Sequence, residues 1–246
     1  MSLPLSIPLR LAALPGWAFL IASAFLWLAP NTWAAPSADV KDRGVFVFTM
    51  AGKEIGTETF EIRSREGCIE AEAKIELRIE QEGKTVEFKT SPRLVLTPDL
   101  EPLTYDWNQK GAQSSELQID LRTSPATARY RTVTGEEDLR EFGLPPDIVI
   151  VDNNVIHHYQ LAVHRFRSAG GLKQSFRAFV PQEAIPGSLN IEDVGPETVG
   201  LAGRERQLEH LVVTTDNARV ELWVDSRDRV QKIAIPAAQL EVVRKK

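Results

Sequence analysis

One cysteine, Cys68, in 246 residues leaves no partner for an internal disulfide. The fold must therefore be held by its core alone. Enzyme signatures are missing as well. There is no G-x-S-x-G elbow, no H-E-x-x-H, no phosphate-cradling glycine loop and no S-x-x-K. Cys68 opens a strand-like stretch and reads as a packed side chain, and Glu136-Glu137-Asp138 reads as solvated turn surface. No catalytic residue is assigned, and an enzyme would have to be a hydrolase whose catalytic residues are dispersed along the chain. Blocks of Lys and Arg are also absent. A phosphate backbone is bound through clustered cations, so nucleic acid is excluded as a partner.

The chain begins with one charge, Arg10, followed by an apolar run from Leu11 to Ala29 and then Asn31-Thr32-Trp33-Ala34-Ala35-Pro36. This order matches a secretory signal cleaved after Ala34, with Thr32 and Ala34 at the two small-residue positions. An uncleaved anchor is the alternative, because the apolar run approaches the length of a membrane span. Pro15-Gly16 and the small-residue exit favour cleavage. No cysteine stands at the new N-terminus to carry a lipid. The expected location is the periplasm. Removal of 1–34 takes away Arg10 and no acid, so 28 basic residues face 34 acidic ones and the mature net charge is −6.

The rest of the chain is written in period two. In CIEAEAKIELRIE (68–80), Ile69, Ala71, Ala73, Ile75, Leu77 and Ile79 alternate with charged residues at every even position. That is a strand with one dry and one wet face. Burying its four large aliphatics contributes on the order of 8 kcal/mol as an upper figure. Similar alternation marks 44–50, 54–63, 84–90, 93–97, 102–107, 114–121, 127–133, 174–180, 188–194, 206–215, 219–225, 229–235 and 239–244. About a dozen strands joined by short turns predict an antiparallel meander in one domain, 35–246.

Three of the four histidines fall in VDNNVIHHYQLAVHRF (151–166). The pattern predicts one helix over about 153–166, with Asp152 as N-cap and Ser168-Ala169-Gly170-Gly171 as its stop. On a helical wheel Val155, Ile156, Tyr159, Val163 and Phe166 share the apolar side. His157 and His164 fall on the opposite side, expected to be wet, and His158 on the flank. Seven residues separate His157 from His164, about 10 Å along the axis, too far for one metal ion. Neither a metal nor a cofactor is expected.

The hairpin MAGKEIGTETFEI, the strand PLTYDW, the segment LPPDIVIVDNNVIHHYQLAVHRF and the tail VPQEAIPGSL…VELWVD…RVQKIAIP resemble an uncharacterised family of secreted Gram-negative bacterial proteins, a domain of unknown function. The resemblance runs over roughly 44–243. It implies a strongly curved antiparallel sheet, a half-barrel or open barrel, with one amphipathic helix packed on it. Such a fold is reminiscent of the periplasmic lipoprotein-carrier half-barrels, which hold acyl chains in a concave apolar hollow. No catalytic residues come with the resemblance.

The leading expectation is a non-enzymatic periplasmic protein that binds a lipid-like, apolar or amphipathic ligand in the concave face. Leu103, Tyr105 and Trp107 on the dry face of PLTYDW, with Tyr159 and Phe166 of the helix, are its candidate ligand-binding residues. A structural or interaction module of the envelope, with a protein partner, is the alternative. Trp223 projects with Glu221 and Asp225 on a charged face, which implies a second covering layer, a partner, or cross-strand cover by Ile233.

Overall fold

The alternation over 68–80 becomes strand β3 (Cys68–Gln81), whose odd-numbered residues from Ile69 to Leu77 are buried while their even-numbered neighbours are half-buried or exposed. The structure, a computed structural model, describes residues 39–81, 83–111, 114–216 and 218–245. The expected signal segment 1–34 and its cleavage site lie outside the described residues, which all fall within one unit, Pro36–Lys246.

Fourteen further strands share one sheet with β3 among the described residues. The first arm holds β1 (Asp39–Met50), β2 (Lys53–Arg65), β3, β4 (Lys84–Leu96), β5 (Pro102–Lys110), β6 (Ser115–Asp120), β7 (Ala126–Arg131) and β8 (Glu137–Phe142). The second holds β9 (Val149–Ile150), β10 (Lys173–Val180), β11 (Ile185–Leu201), β12 (Arg204–Thr215), β13 (Arg219–Val224), β14 (Val230–Ile235) and β15 (Leu240–Lys245). Strand β1 pairs with both β2 and β15, so the two ends of the domain sequence meet at the middle of the sheet. Every pairing is antiparallel except β9 with β10. Strands β8 and β9 are the two edges, so the sheet is open. The arms nevertheless approach through side chains. The Tyr130 hydroxyl donates to the Pro181 carbonyl at 3.0 Å, and the rings of Phe142 and Phe179 lie 5.0 Å apart.

Proline in a strand between two neighbours is unusual because it cannot donate to a ladder. Pro92 is accommodated by a gap. The β3–β4 ladder runs in constant register but skips Ala73 and Lys74 opposite Ser91 and Pro92.

Helix α1 (His157–Ala169) follows β9 and lies against the core face of the sheet. Its side chains reach both arms: Arg165 donates to the Asp99 carbonyl at 2.6 Å, and Arg167 pairs with Asp193 and Asp228 at 2.7 and 2.9 Å. Around it Phe46, Phe48, Phe60, Ile62, Leu94, Leu117 and Leu222 form one continuous core with Val155, Val163 and Phe166. The helix thus begins four residues later than expected and ends three later, at Ala169, where Gly170 takes φ 73°.

The wet side assigned to His157 is wrong: His157, His158 and Gln160 have no exposure. A wheel assumes that one side of a helix meets water, but a helix wrapped by a rolled sheet has no such side in its first turns. Gln160 satisfies itself there, accepting from the Val230 N–H at 2.7 Å and donating to the Asp228 carbonyl at 2.6 Å. His164 is half-buried, beside Gln160.

Trp223 has a covering layer from its own chain. It lies opposite Lys232, while Leu222 faces Ile233, so cover by Ile233 does not occur. The β11–β12 hairpin bends at a bulge between Asp193 and Gly195. Beyond that point it buries Val199, Leu201 and Leu208 on Trp223, away from the main core. His210 stacks on the indole at 4.9 Å, and the indole N–H donates to Glu197 at 2.8 Å.

Candidate functional site

Glu58 sits on the face of β2 that also carries Phe60 and Ile62, an acid in an apolar register, and it is fully buried. Its carboxylate accepts from the backbone N–H groups of Ile156 and His157 at 2.7 and 2.8 Å, and from His157 Nδ1 at 2.9 Å. A strand residue almost a hundred positions away therefore caps the helix, complementing its unsatisfied N–H groups and its dipole. Asp152, expected in that role, binds elsewhere. It accepts from the Tyr105 hydroxyl at 2.6 Å and from the N–H groups of Asn153 and Gln182 at 3.0 and 3.1 Å.

Five polar residues thus meet inside the rolled sheet: Glu58 from β2, Tyr105 from β5, Asp152 after β9, and His157 and His158 at the start of α1. The imidazoles are 4.8 Å apart, His157 stacks against Phe60 at 6.1 Å, and His158 meets the edge of Tyr105 at 5.6 Å. Nδ1 of His157 is engaged by Glu58, while among the described residues its Nε2, both ring nitrogens of His158 and the Trp107 indole N–H have no hydrogen-bond partner.

Burial sets the protonation states. It holds the His158 imidazole well below its ordinary range, with neighbouring His157 acting in the same direction. The Tyr105 hydroxyl is pushed well above its usual value by burial and then by Asp152. Burial raises the Asp152 carboxyl to about 6, against the opposing hydrogen bonds from Tyr105 and Gln182. Among the described residues no group of three or more His, Cys, Asp or Glu is arranged to hold a metal ion. Tyr105 pairs with Asp152 and Glu58 with His157; Tyr105, Glu58 and His157 are fully buried and Asp152 nearly so.

Of the residues expected to line a ligand site, Tyr105, Trp107 and Phe166 belong to the same core, and Tyr105 lies deep within it rather than at a rim. Leu103 is half-buried on the same strand. Tyr159 turns to a different place, a cleft of about 160 Å³ beside Asp152 and Asn153 at the start of the helix. Sequence reasoning missed Glu58 and Asp152 as members of the cluster. The signal for Glu58 was available in the alternation that places it with Phe60 and Ile62.

No family model matches the chain, and none of the curated proteins does. Two solved structures are similar. One is a β-barrel-like protein of the domain-of-unknown-function family DUF1849 from Brucella abortus, 8% identical, with a TM-score of 0.55 over 82% of this chain and 94% of that one. The other is a DUF1089 family protein from Pseudomonas aeruginosa, 15% identical, with a TM-score of 0.44 over 92% of this chain and 98% of that one. The first likeness shows the fold: a β-barrel-like, mostly β architecture.

Proposed function

We propose that this chain is an exported, non-enzymatic protein of the bacterial envelope that takes a lipid-like ligand, apolar or amphipathic, onto the concave face of its sheet in exchange for helix α1. One observation carries the reading. A broad apolar face that includes Phe46, Phe48, Phe60 and Leu117 is covered by a single 13-residue helix, and the first turn of that helix buries unpartnered imidazole nitrogens. Each buried polar group left without a partner costs about 1–3 kcal/mol. An acyl chain in place of this turn would keep the apolar contacts and remove that cost, against the loss of the three hydrogen bonds that Glu58 makes to the turn. Leu103, Tyr105 and Trp107 are then the residues a ligand meets as the helix leaves, Phe166 is the helix side chain it displaces, and Tyr159 marks the cleft at the start of the helix. Export rests on the pattern of residues 1–34, and the non-enzymatic reading on the lack of a recognisable catalytic motif in the sequence.

Trp107 provides the test, because Trp17, Trp27 and Trp33 precede Ala34 and only Trp223 remains beside it in the mature chain. In a Trp223→Phe background, oleate or a phospholipid should shift or quench Trp107 fluorescence saturably. Native mass spectrometry of protein purified from periplasm should show copurified lipid. Unchanged fluorescence with every lipid, and a lipid-free mass, would overturn the proposal.

A second reading has its own observation. Strand β8 is an unpaired edge carrying Leu139 at 70% exposure, the kind of edge that another chain can extend. An envelope protein partner would bind there, and proline at Leu139 should abolish its binding while leaving lipid uptake intact.

A further inference from the structure

The hairpin of β11 and β12 reaches across the outer face of the sheet as far as β1, where its tip roofs a cleft of about 790 Å³. The apolar part of the cleft is Val47 of β1, Leu201 of the hairpin and Val243 of β15. The register pairs Val199 with Arg206 and Leu201 with Arg204, so both arginines share the face that the hairpin turns toward the sheet. Alternation calls for apolar residues at those positions, as at Leu208 one step further along the same face. Two cations occupy them instead.

The cleft also receives Arg229, Arg244 and Lys245. Arg229 is neutralised by Asp225 at 2.8 Å and Arg244 by Asp42 at 3.0 Å. Arg204, Arg206 and Lys245 have no acidic partner among the described residues, although the mature chain carries six more acids than bases. Glu205 projects from the opposite side of its strand by alternation. Unpaired cations gathered in one hollow repel one another, and an anion placed among them removes that repulsion. Guanidinium groups match the oxygens of a phosphate in a forked geometry. A hollow of this volume is of the size that holds small ligands.

We propose that the cleft between the hairpin tip and the outer face of β1 and β15 is a binding site for a phosphate-bearing amphiphile, an anionic phospholipid whose head meets Arg204, Arg206 and Lys245 and whose proximal acyl carbons meet Val47, Leu201 and Val243. This site is on the opposite face from the one proposed for helix exchange, and it stands or falls independently. Its occupant is recognised by charge first, with the apolar floor distinguishing a lipid from a free anion.

Calorimetric titration of the mature protein with dihexanoyl phosphatidylglycerol, dihexanoyl phosphatidylcholine and inorganic phosphate tests the proposal. The anionic lipid should bind saturably, at least tenfold more tightly than either other probe, and more weakly as salt is raised. The double variant Arg204→Glu/Arg206→Glu should weaken it at least tenfold. Both positions are exposed, and if that variant lowers the melting temperature, Arg204→Gln/Arg206→Gln supplies the same comparison. Equal affinity for inorganic phosphate would make this a small-anion site and overturn the lipid assignment. Equal affinity for phosphatidylcholine, no saturable binding, or full binding by the folded double variants would overturn the site itself. Trp107 fluorescence of the Trp223→Phe variant, titrated with the same probes, reports the concave face separately, so failure at one face is not mistaken for failure at the other.

Discussion

Glu58 ties the helix to the sheet with three hydrogen bonds, two of them to the backbone N–H groups of Ile156 and His157 at a helix start that has no local side-chain cap. Glu58→Ala should therefore cost about 3 kcal/mol or more, since it strands two buried N–H groups and one imidazole nitrogen. Glu58→Gln keeps an acceptor oxygen for the backbone and should cost roughly half as much. Urea denaturation distinguishes the two, and equal, small losses would contradict the capping role. Acid should act through two residues of opposite sign. His158 is held neutral by burial, so its folded value lies below its unfolded one, and its stabilising contribution is complete above about pH 6.5 and lost as pH falls below it. Half-buried His164 is shifted in the same direction by burial. Asp152 is raised to about 6, so the folded state takes its proton first and gains stability as pH falls from 6 toward 3.8. The two effects offset each other between roughly pH 6 and 4. Asp152→Asn should remove the offset and make the acid loss steeper, while His158→Leu should flatten it and leave stability at pH 8 unchanged or improved. Parallel pH profiles for wild type and both variants would contradict this assignment.

The elements differ in how firmly they are held, and the outer flap is the clearest case. Trp223 is the hub on which Val199, Leu201 and Leu208 pack, reinforced by His210 and by Lys232 over its ring at 5.2 Å. Trp223→Ala should free the distal part of the β11–β12 hairpin and let trypsin cut after Arg204 or Arg206 roughly tenfold faster or more, by local opening alone. Fragment masses read this directly, and an unchanged rate would mean that the hairpin holds itself without the indole. Elements were legible in the sequence wherever one face is dry. Strands β1 to β7 and β10 to β15 announce themselves by period two, because each has a core face and a polar face. Strand β8, Glu-Asp-Leu-Arg-Glu-Phe, does not: as an edge it has almost no buried residue and so no alternation to read. Strand β9 is two residues of an unbroken apolar run and gives no period at all. Helix α1 was recognised as a helix, but its environment was misread, since pattern alone records which residues are polar and not that a rolled sheet encloses them. The candidate cluster was half legible. Tyr105 was visible as a dry-face aromatic and the histidines as a concentration, whereas the contacts of Glu58 with His157 and of Tyr105 with Asp152 join residues 99 and 47 positions apart and depend on the roll of the sheet.

At the scale of the molecule, the sheet has an apolar face that holds one helix and, on its other face, a cleft lined by basic residues. The open edges at β8 and β9 are not joined by a ladder, and the arms meet there through the Tyr130 hydroxyl on the Pro181 carbonyl and through Phe142 on Phe179. Such a roll can widen without breaking a ladder, which is what an exchange of helix for ligand demands. The concave face would then take a lipid-like ligand, and the basic cleft outside would independently engage an anionic phospholipid. Ordinary ligands raise protection of the elements they touch. Exchange makes a different demand: the helix must lose protection as the strands gain it. Hydrogen exchange of the mature protein, with and without saturating oleate, is the most direct measurement of this claim. The amides of His157–Ala169 should exchange faster in the presence of oleate, while those of β2 to β5 exchange more slowly. If oleate binds and the helix amides stay as protected as before, the helix is a fixed part of the core and the exchange proposal is wrong.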